Sequence, residues 1–190
     1  METQRQIRAA ISQLIWGRLQ QCPDPERQSV LAALGPTTAS AITQPLGIGW
    51  VEMSPHMDLC GAIAQVMGEA RHTRMWHDII KEFGGSRLLR GFFSIASRAG
   101  TDGLMRRVDL AYSSQTRGLG SVGTSEVREG SATVELDGFP AKEYSLPLYA
   151  GGLRGTLSAT VEVSGAKLLG VEIADLSEPR GSCRFLVRWL

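Results

Sequence analysis

The apolar positions of the chain fall into two regimes. Up to Val108 they recur mostly at helical spacing; beyond Val127 much of the pattern alternates. Ile7, Ile11, Leu14, Ile15 and Leu19 form one stripe, and Thr3 with Gln6 matches a capping box. A helix is therefore predicted from Thr3 to the stop at Cys22-Pro23. Asp24-Pro25 restarts a helix, with Asp24 as N-cap, and Gly35-Pro36 ends it. Residues 36–53 are punctuated by Pro and Gly and read as an irregular segment.

Ser54-Pro55 opens the next helix, with Leu59, Ile63, Val66 and Met67 inward. Another carries Met75, Trp76, Ile79, Ile80 and Phe83 and ends at Gly84-Gly85. Ser86 caps a further one, with Leu88, Leu89, Phe92, Phe93 and Ile95. Asp102 caps the last helix of this half, with Leu104, Met105 and Val108.

Residues 113–125 are rich in Ser, Thr and Gly. Val127 to Leu136 reads as a hairpin turned at Glu129-Gly130. Leu148, Leu153, Leu157 and Val161 resume a helical stripe, interrupted by Gly151, Gly152 and Gly155. Each such glycine costs about 1 kcal/mol of helix stability relative to Ala, and close approach of the helix to the sheet is the expected return. Leu169, Val171 and Ile173 alternate as one strand, and Cys183, Phe185, Val187 and Trp189 as a second. A turn at Pro179-Arg180-Gly181 makes the two antiparallel. The fold class is α+β: a helical N-terminal half packed on a C-terminal antiparallel sheet with a Gly-rich helix. One domain is expected over 1–190. Within it, 1–35 form either an arm or part of the core, 54–112 the helical part and 126–190 the part containing the sheet.

Composition narrows the function classes. The 190 residues are 43% hydrophobic and 21% charged, ordinary for a packed core. A formal net charge of +1 gives no global attraction for nucleic acid. Arg87, Arg90, Arg98, Arg106, Arg107, Arg117 and Arg128 outnumber Asp102, Asp109 and Glu126 locally, but without interleaved aromatics they read as a solvated surface. The three cysteines, Cys22, Cys60 and Cys183, are odd in number and far apart, and Met-Glu-Thr-Gln-Arg lacks the apolar stretch of a secretory signal. The expectation is reduced thiols, a cytoplasmic protein and no membrane span.

Candidate chemistry is sparse. Gly118 to Gly123 matches GxGxxG, but a phosphate cradle needs a strand before it and a helix after it. A β-type pattern follows instead, so a linker without nucleotide is expected. His72 and His77 are five apart and do not share a helix face. His56 and Cys60 have i, i+4 spacing and could hold a metal or pair as base and nucleophile, yet no partner pair completes a site. Cys60 then reads as a small buried apolar residue. No catalytic residue and no metal site are assigned. The stripe with Trp76, Phe83, Phe92 and Phe93 lines either core or a ligand pocket.

The last sixty residues carry a resemblance. A Gly-rich helix (148–163), Gly165-Ala166-Lys167, the strand 168–173 and the closing strand 183–189 come in an order that resembles three related folds. These are the 4-vinyl-reductase-type ligand domain, the haem nitric-oxide-binding domain and the TRAPP-subunit fold; uncharacterised myxobacterial proteins of similar length look alike too. The resemblance implies an α+β domain, often dimeric, that binds small molecules or haem or assembles with proteins. The haem family sets Tyr-x-Ser-x-Arg against the propionates, whereas here Tyr112 and Ser114 are followed by Arg117, one residue too far. Haem is therefore set aside and no cofactor is expected.

The functional expectation is a non-enzymatic small-molecule-sensing or assembly module. Its apolar pocket lies between helices and sheet, walled by Trp76, Ile80, Phe92 and Phe93, with an apolar small molecule, a second copy or another protein as partner. The alternatives are a ligand-free interaction scaffold and a metal- or thiol-dependent enzyme using His56 and Cys60.

Overall fold

Gln6–Arg8 form a strand, β1, and the first helix, α1, begins only at Ala9 and runs to Gln20. The computed structural model describes residues 4–46, 48–83 and 100–190. Of the expected capping box, Thr3 lies outside the described residues, and Gln6 is held in β1 by pairing on both sides, so the helix does not run from there. β1 lies between β2 (Trp50–Glu52) and β3 (Thr116–Arg117) in an antiparallel sheet of order β2-β1-β3. Three-residue strands carry no periodicity of their own, and distant partners decide them.

Helix α2 spans Asp24–Leu34 and closes at Gly35, whose φ of 76° suits a residue without Cβ. Segment 36–53 is more regular than its Pro and Gly content suggests. Pro36 starts α3 (Pro36–Thr43), since proline's fixed φ and missing N–H suit a first helical turn, and β2 follows. Next come α4 (Met53–Met67) and α5 (Glu69–Phe83). On α4, Leu59 and Ile63 are fully buried as expected, but Val66 is exposed.

The expected helix capped by Ser86, with Phe92 and Phe93, lies outside the described residues. After it, α6 (Gly100–Met105) already includes Asp102 in its first turn, so Asp102 is not its cap. α7 (Val108–Gln115) then leads directly into β3.

The second sheet has order β4-β5-β7-β6, all antiparallel: β4 Ser121–Arg128, β5 Ser131–Asp137, β6 Leu168–Ser177 and β7 Ser182–Trp189. β4 and β5 are the hairpin turned at Glu129-Gly130. On β7, Cys183, Phe185, Val187 and Trp189 are buried, as the alternation requires. β6 departs from it. A register shift between Leu168 and Gly170 turns Leu169 outward, where it is 56% exposed.

Helix α8 (Leu146–Val163) begins at an N-cap Ser145 that accepts from the Leu148 N–H, and it covers the sheet. Its glycines serve a different neighbour from the one expected. A Cβ on Gly155 would stand 2.3 Å from the Thr73 carbonyl oxygen of α5, and one on Gly152 would meet the Trp76 indole at 2.9 Å. The close approach is to α5, not to the sheet.

Two apolar clusters result. One joins α8, the large sheet and β1; the other joins α1, α2, α4 and α5, with Ile15, Leu19, Val30, Leu59 and Ile63 fully buried. Full burial of each such side chain is worth about 1.5–3 kcal/mol. Among the described residues, no helix is long and apolar enough to cross a membrane.

Candidate functional site

A cavity of about 150 Å³ lies where the helical half meets the large sheet. Its walls are overwhelmingly apolar. α5 contributes Trp76 and Ile80, α7 contributes Val108 and Tyr112, α8 contributes Tyr149 and Leu153, and Phe185 closes the sheet side. Of the four residues expected to wall a pocket, Trp76 and Ile80 are among its lining, and Phe92 and Phe93 lie outside the described residues.

The polar groups in these walls are mostly satisfied by the protein itself. The Thr156 and Thr160 hydroxyls donate to carbonyls one turn back in α8. The Tyr112 hydroxyl donates to the Leu119 carbonyl at 2.8 Å, and the Tyr149 hydroxyl donates to Tyr112 at 3.0 Å. Phe139 stacks on the Tyr149 ring at 4.5 Å and fixes its plane. Burial pushes the Tyr112 phenol up to about 12 and the Tyr149 phenol well above its ordinary value, so both stay protonated.

The expected linker at Gly118–Gly123 is part of this architecture. Gly120, with a φ of 81°, packs so tightly on Asp137 and Gly138 that any Cβ would clash with backbone, and Leu119 between the glycines is fully buried. β3 precedes the motif and β4 begins within it at Ser121, so the helix N-terminus that a phosphate cradle requires is missing.

Behind the cavity lies a buried polar cluster. The Trp76 Nε1–H donates to His72 Nε2 at 3.1 Å. His56 meets the Trp76 ring edge-on with centroids 5.6 Å apart, its Nδ1 is 3.0 Å from Ser12 Oγ, and its Nε2 is 3.6 Å from Cys60 Sγ. Burial lowers His56 to about 3 and His72 to about 4, and raises the Cys60 thiol to about 12. Both partners of the His56–Cys60 pair are therefore neutral. A nucleophilic thiol needs the thiolate, and this environment opposes it. Among the described residues no group of three His, Cys, Asp or Glu side chains could hold a metal ion. The sequence did not point to Ser12 or to the Trp76–His72 bond, although the i, i+4 spacing of His72 and Trp76 was visible in it.

Of the local arginine excess, Arg117 stacks on Trp50 at 3.9 Å from the ring centre, where Arg8 of β1 also stacks at 4.0 Å. Two guanidiniums that close to one centre must occupy opposite faces. Arg128 pairs with Glu126.

No protein-family model and no curated protein matches this sequence. Solved structures do. A structure titled as an Fe(II) unliganded H-NOX protein mutant from K. algicida aligns over 97% of this chain and 96% of its own, with a TM-score of 0.67 and 10% identity. An oxygen-binding H-NOX domain, described as related to soluble guanylate cyclases, aligns over 96% and 95%, with a TM-score of 0.62 and 10% identity. A third, whose title concerns haem redox potential and porphyrin distortion, gives 96% and 98%, 0.61 and 11%.

These likenesses correct the expectation that no cofactor is involved. The fold is one that haem proteins use, and the extra residue before Arg117 does not remove the chain from it. Protein haem iron is held by His, Cys, Met or Tyr. His56 and His72 are tied into the buried cluster, while His77 contacts Asp78 and Glu162, so none of the three lines the cavity. Neither a cysteine nor a methionine is among the lining residues described, and the two tyrosines are held as hydrogen-bonded phenols. The described side chains thus do not fit axial ligation of haem at this cavity. The resemblance seen in the last sixty residues extends to nearly the whole chain, which is folded as an H-NOX domain.

Proposed function

We propose that this chain is a small-molecule-sensing module whose ligand occupies the apolar cavity between helices and sheet. The observation that carries the reading is the cavity itself. It is drawn from α5, α7, α8 and the large sheet, and its polar wall groups mostly spend their protons on bonds within the protein. Cores are normally packed without such space, so about 150 Å³ at the junction of both halves marks a place built to be filled. An apolar cavity of about this volume accepts a benzene-sized molecule. The fold supports the reading, since a neighbour sharing it is titled an oxygen-binding domain. Trp76 and Ile80 are the contacts assigned from α5, and Phe92 and Phe93 are proposed to complete the wall.

A ligand that binds only the folded state raises the melting temperature by mass action. Thermal shift with toluene, indole and medium-chain alcohols tests the reading, with haemin as a separate arm read by its absorption spectrum. Saturable stabilisation, weakened in Leu153→Trp where the new side chain fills the space, is the expected result. No stabilisation by any of these compounds would leave the cavity without a function.

A further inference from the structure

The hydrogen-bond directions around the two cavity tyrosines can be settled by counting protons. A backbone carbonyl only accepts, so the contact from Tyr112 Oη to the Leu119 carbonyl at 2.8 Å uses the single Tyr112 proton. The 3.0 Å contact between the two hydroxyls must then use the Tyr149 proton. Tyr149 Oη is left with lone pairs and no proton to give. Among the described residues nothing donates to it. The Tyr149 ring cannot swing away, because Phe139 stacks on it at 4.5 Å and the Tyr112 bond holds its tip. The other polar wall groups are the hydroxyls of Thr116, Thr156 and Thr160, which donate to backbone carbonyls, and the Gln115 amide, which donates to Ser114. A chain of hydroxyls ending on a carbonyl thus makes one point of an apolar wall an acceptor.

Resting on the cavity reading above, we infer that the preferred ligand is a small, mainly apolar molecule bearing one hydrogen-bond donor, with Tyr149 Oη as its acceptor. A neutral phenol or small alcohol fits this chemistry. At that oxygen an ether or ketone of the same size would face lone pairs with lone pairs. An anion is excluded by the same oxygen and by the lack of a cation among the lining residues described.

The test compares phenol with anisole, which keeps ring and oxygen but lacks the O–H, and uses toluene to report on the cavity alone. Dissociation constants are measured by calorimetry for the native chain, Tyr149→Phe and Tyr112→Phe. The readout is the ratio of phenol to anisole affinity within each protein, so a general change in cavity shape cancels. A neutral hydrogen bond corresponds to about a 3- to 10-fold preference. The native ratio is expected to exceed that of Tyr149→Phe by this factor. Tyr112→Phe returns the Tyr149 proton to the cavity, so its ratio should fall too, and this variant decides the matter should Tyr149→Phe not fold. Toluene binding with an unchanged ratio in the variants would overturn the acceptor assignment and leave the cavity reading standing. Failure of all three probes on the native chain would remove both.

Discussion

Trp76 and His72 are joined by a hydrogen bond one helical turn apart, so a single indole is at once a wall of the cavity and a donor to a buried imidazole. The ring cannot be displaced without leaving His72 Nε2 unpaired in a site only 2% exposed.

Trp76→Phe keeps most of the apolar wall and removes the N–H. Stranding a buried acceptor costs about 1–3 kcal/mol. Urea denaturation should show this loss with an unchanged slope. An unaltered midpoint would mean that the bond contributes nothing to stability.

The buried histidines give stability a definite pH dependence. His56 and His72 have folded values near 3 and 4, against an ordinary 6.5 in the unfolded chain. Between these values the unfolded state binds more protons, so stability rises with pH in that window. The full contribution is present above about pH 7 and is lost as pH falls through 6 and 5 towards 4. The groups facing them are Ser12, Cys60 and Trp76, none of which titrates in this range. The total loss is on the order of several kcal/mol. His56→Gln should flatten the profile measured by urea melts from pH 7.5 to 4.5.

Gly155→Ala should destabilise the protein by about 1–3 kcal/mol or more, as overpacking does. The added carbon would lie against backbone of α5, which cannot rotate away. Gly123→Ala is the control, since a Cβ there meets nothing. Comparable melting of the two variants would contradict the packing described.

Trp189→Ala removes the terminal anchor of β7, which is 6% exposed. A loss of about 3–5 kcal/mol is expected, the range for large core truncations. An unchanged melting temperature would show that the end of the strand carries no core.

Cys60 should react slowly with thiol reagents in the folded protein and at an ordinary rate once unfolded. It is 2% exposed and its pKa is raised to about 12. Peptide mapping after timed alkylation separates it from Cys22 and Cys183. Rapid labelling of Cys60 at neutral pH would restore the thiol-enzyme alternative.

The C-terminal strands were legible because both determinants are local. The alternation Cys183-Phe185-Val187-Trp189 sets the buried face, and Pro179-Arg180-Gly181 sets the turn. Leu169 was misplaced because a bulge breaks period two without leaving a mark in composition. β1 was hidden for the opposite reason. Its apolar Ile7 fits a helical stripe equally well, and the partners that make it a strand are some 45 and 110 residues away. The cavity was half legible. Trp76 and Ile80 share a visible stripe, but Tyr112 and Tyr149 meet only through the fold, and nothing local says which hydroxyl keeps its proton.

The contact between α5 and α8 has a mechanical consequence. Gly155 brings α8 against the backbone of α5, and Gly152 against the Trp76 indole, leaving no room at either point for so much as a Cβ. Such a joint resists sliding, because any axial shift drives the next, larger residue of α8 into the Thr73 carbonyl. The two helices must therefore move as one lever. α5 forms one arm, in contact with the helical cluster of α1 and α4, and α8 forms the other, resting on the sheet. Pressure on Trp76 from inside the cavity would be felt at both ends of that lever at once.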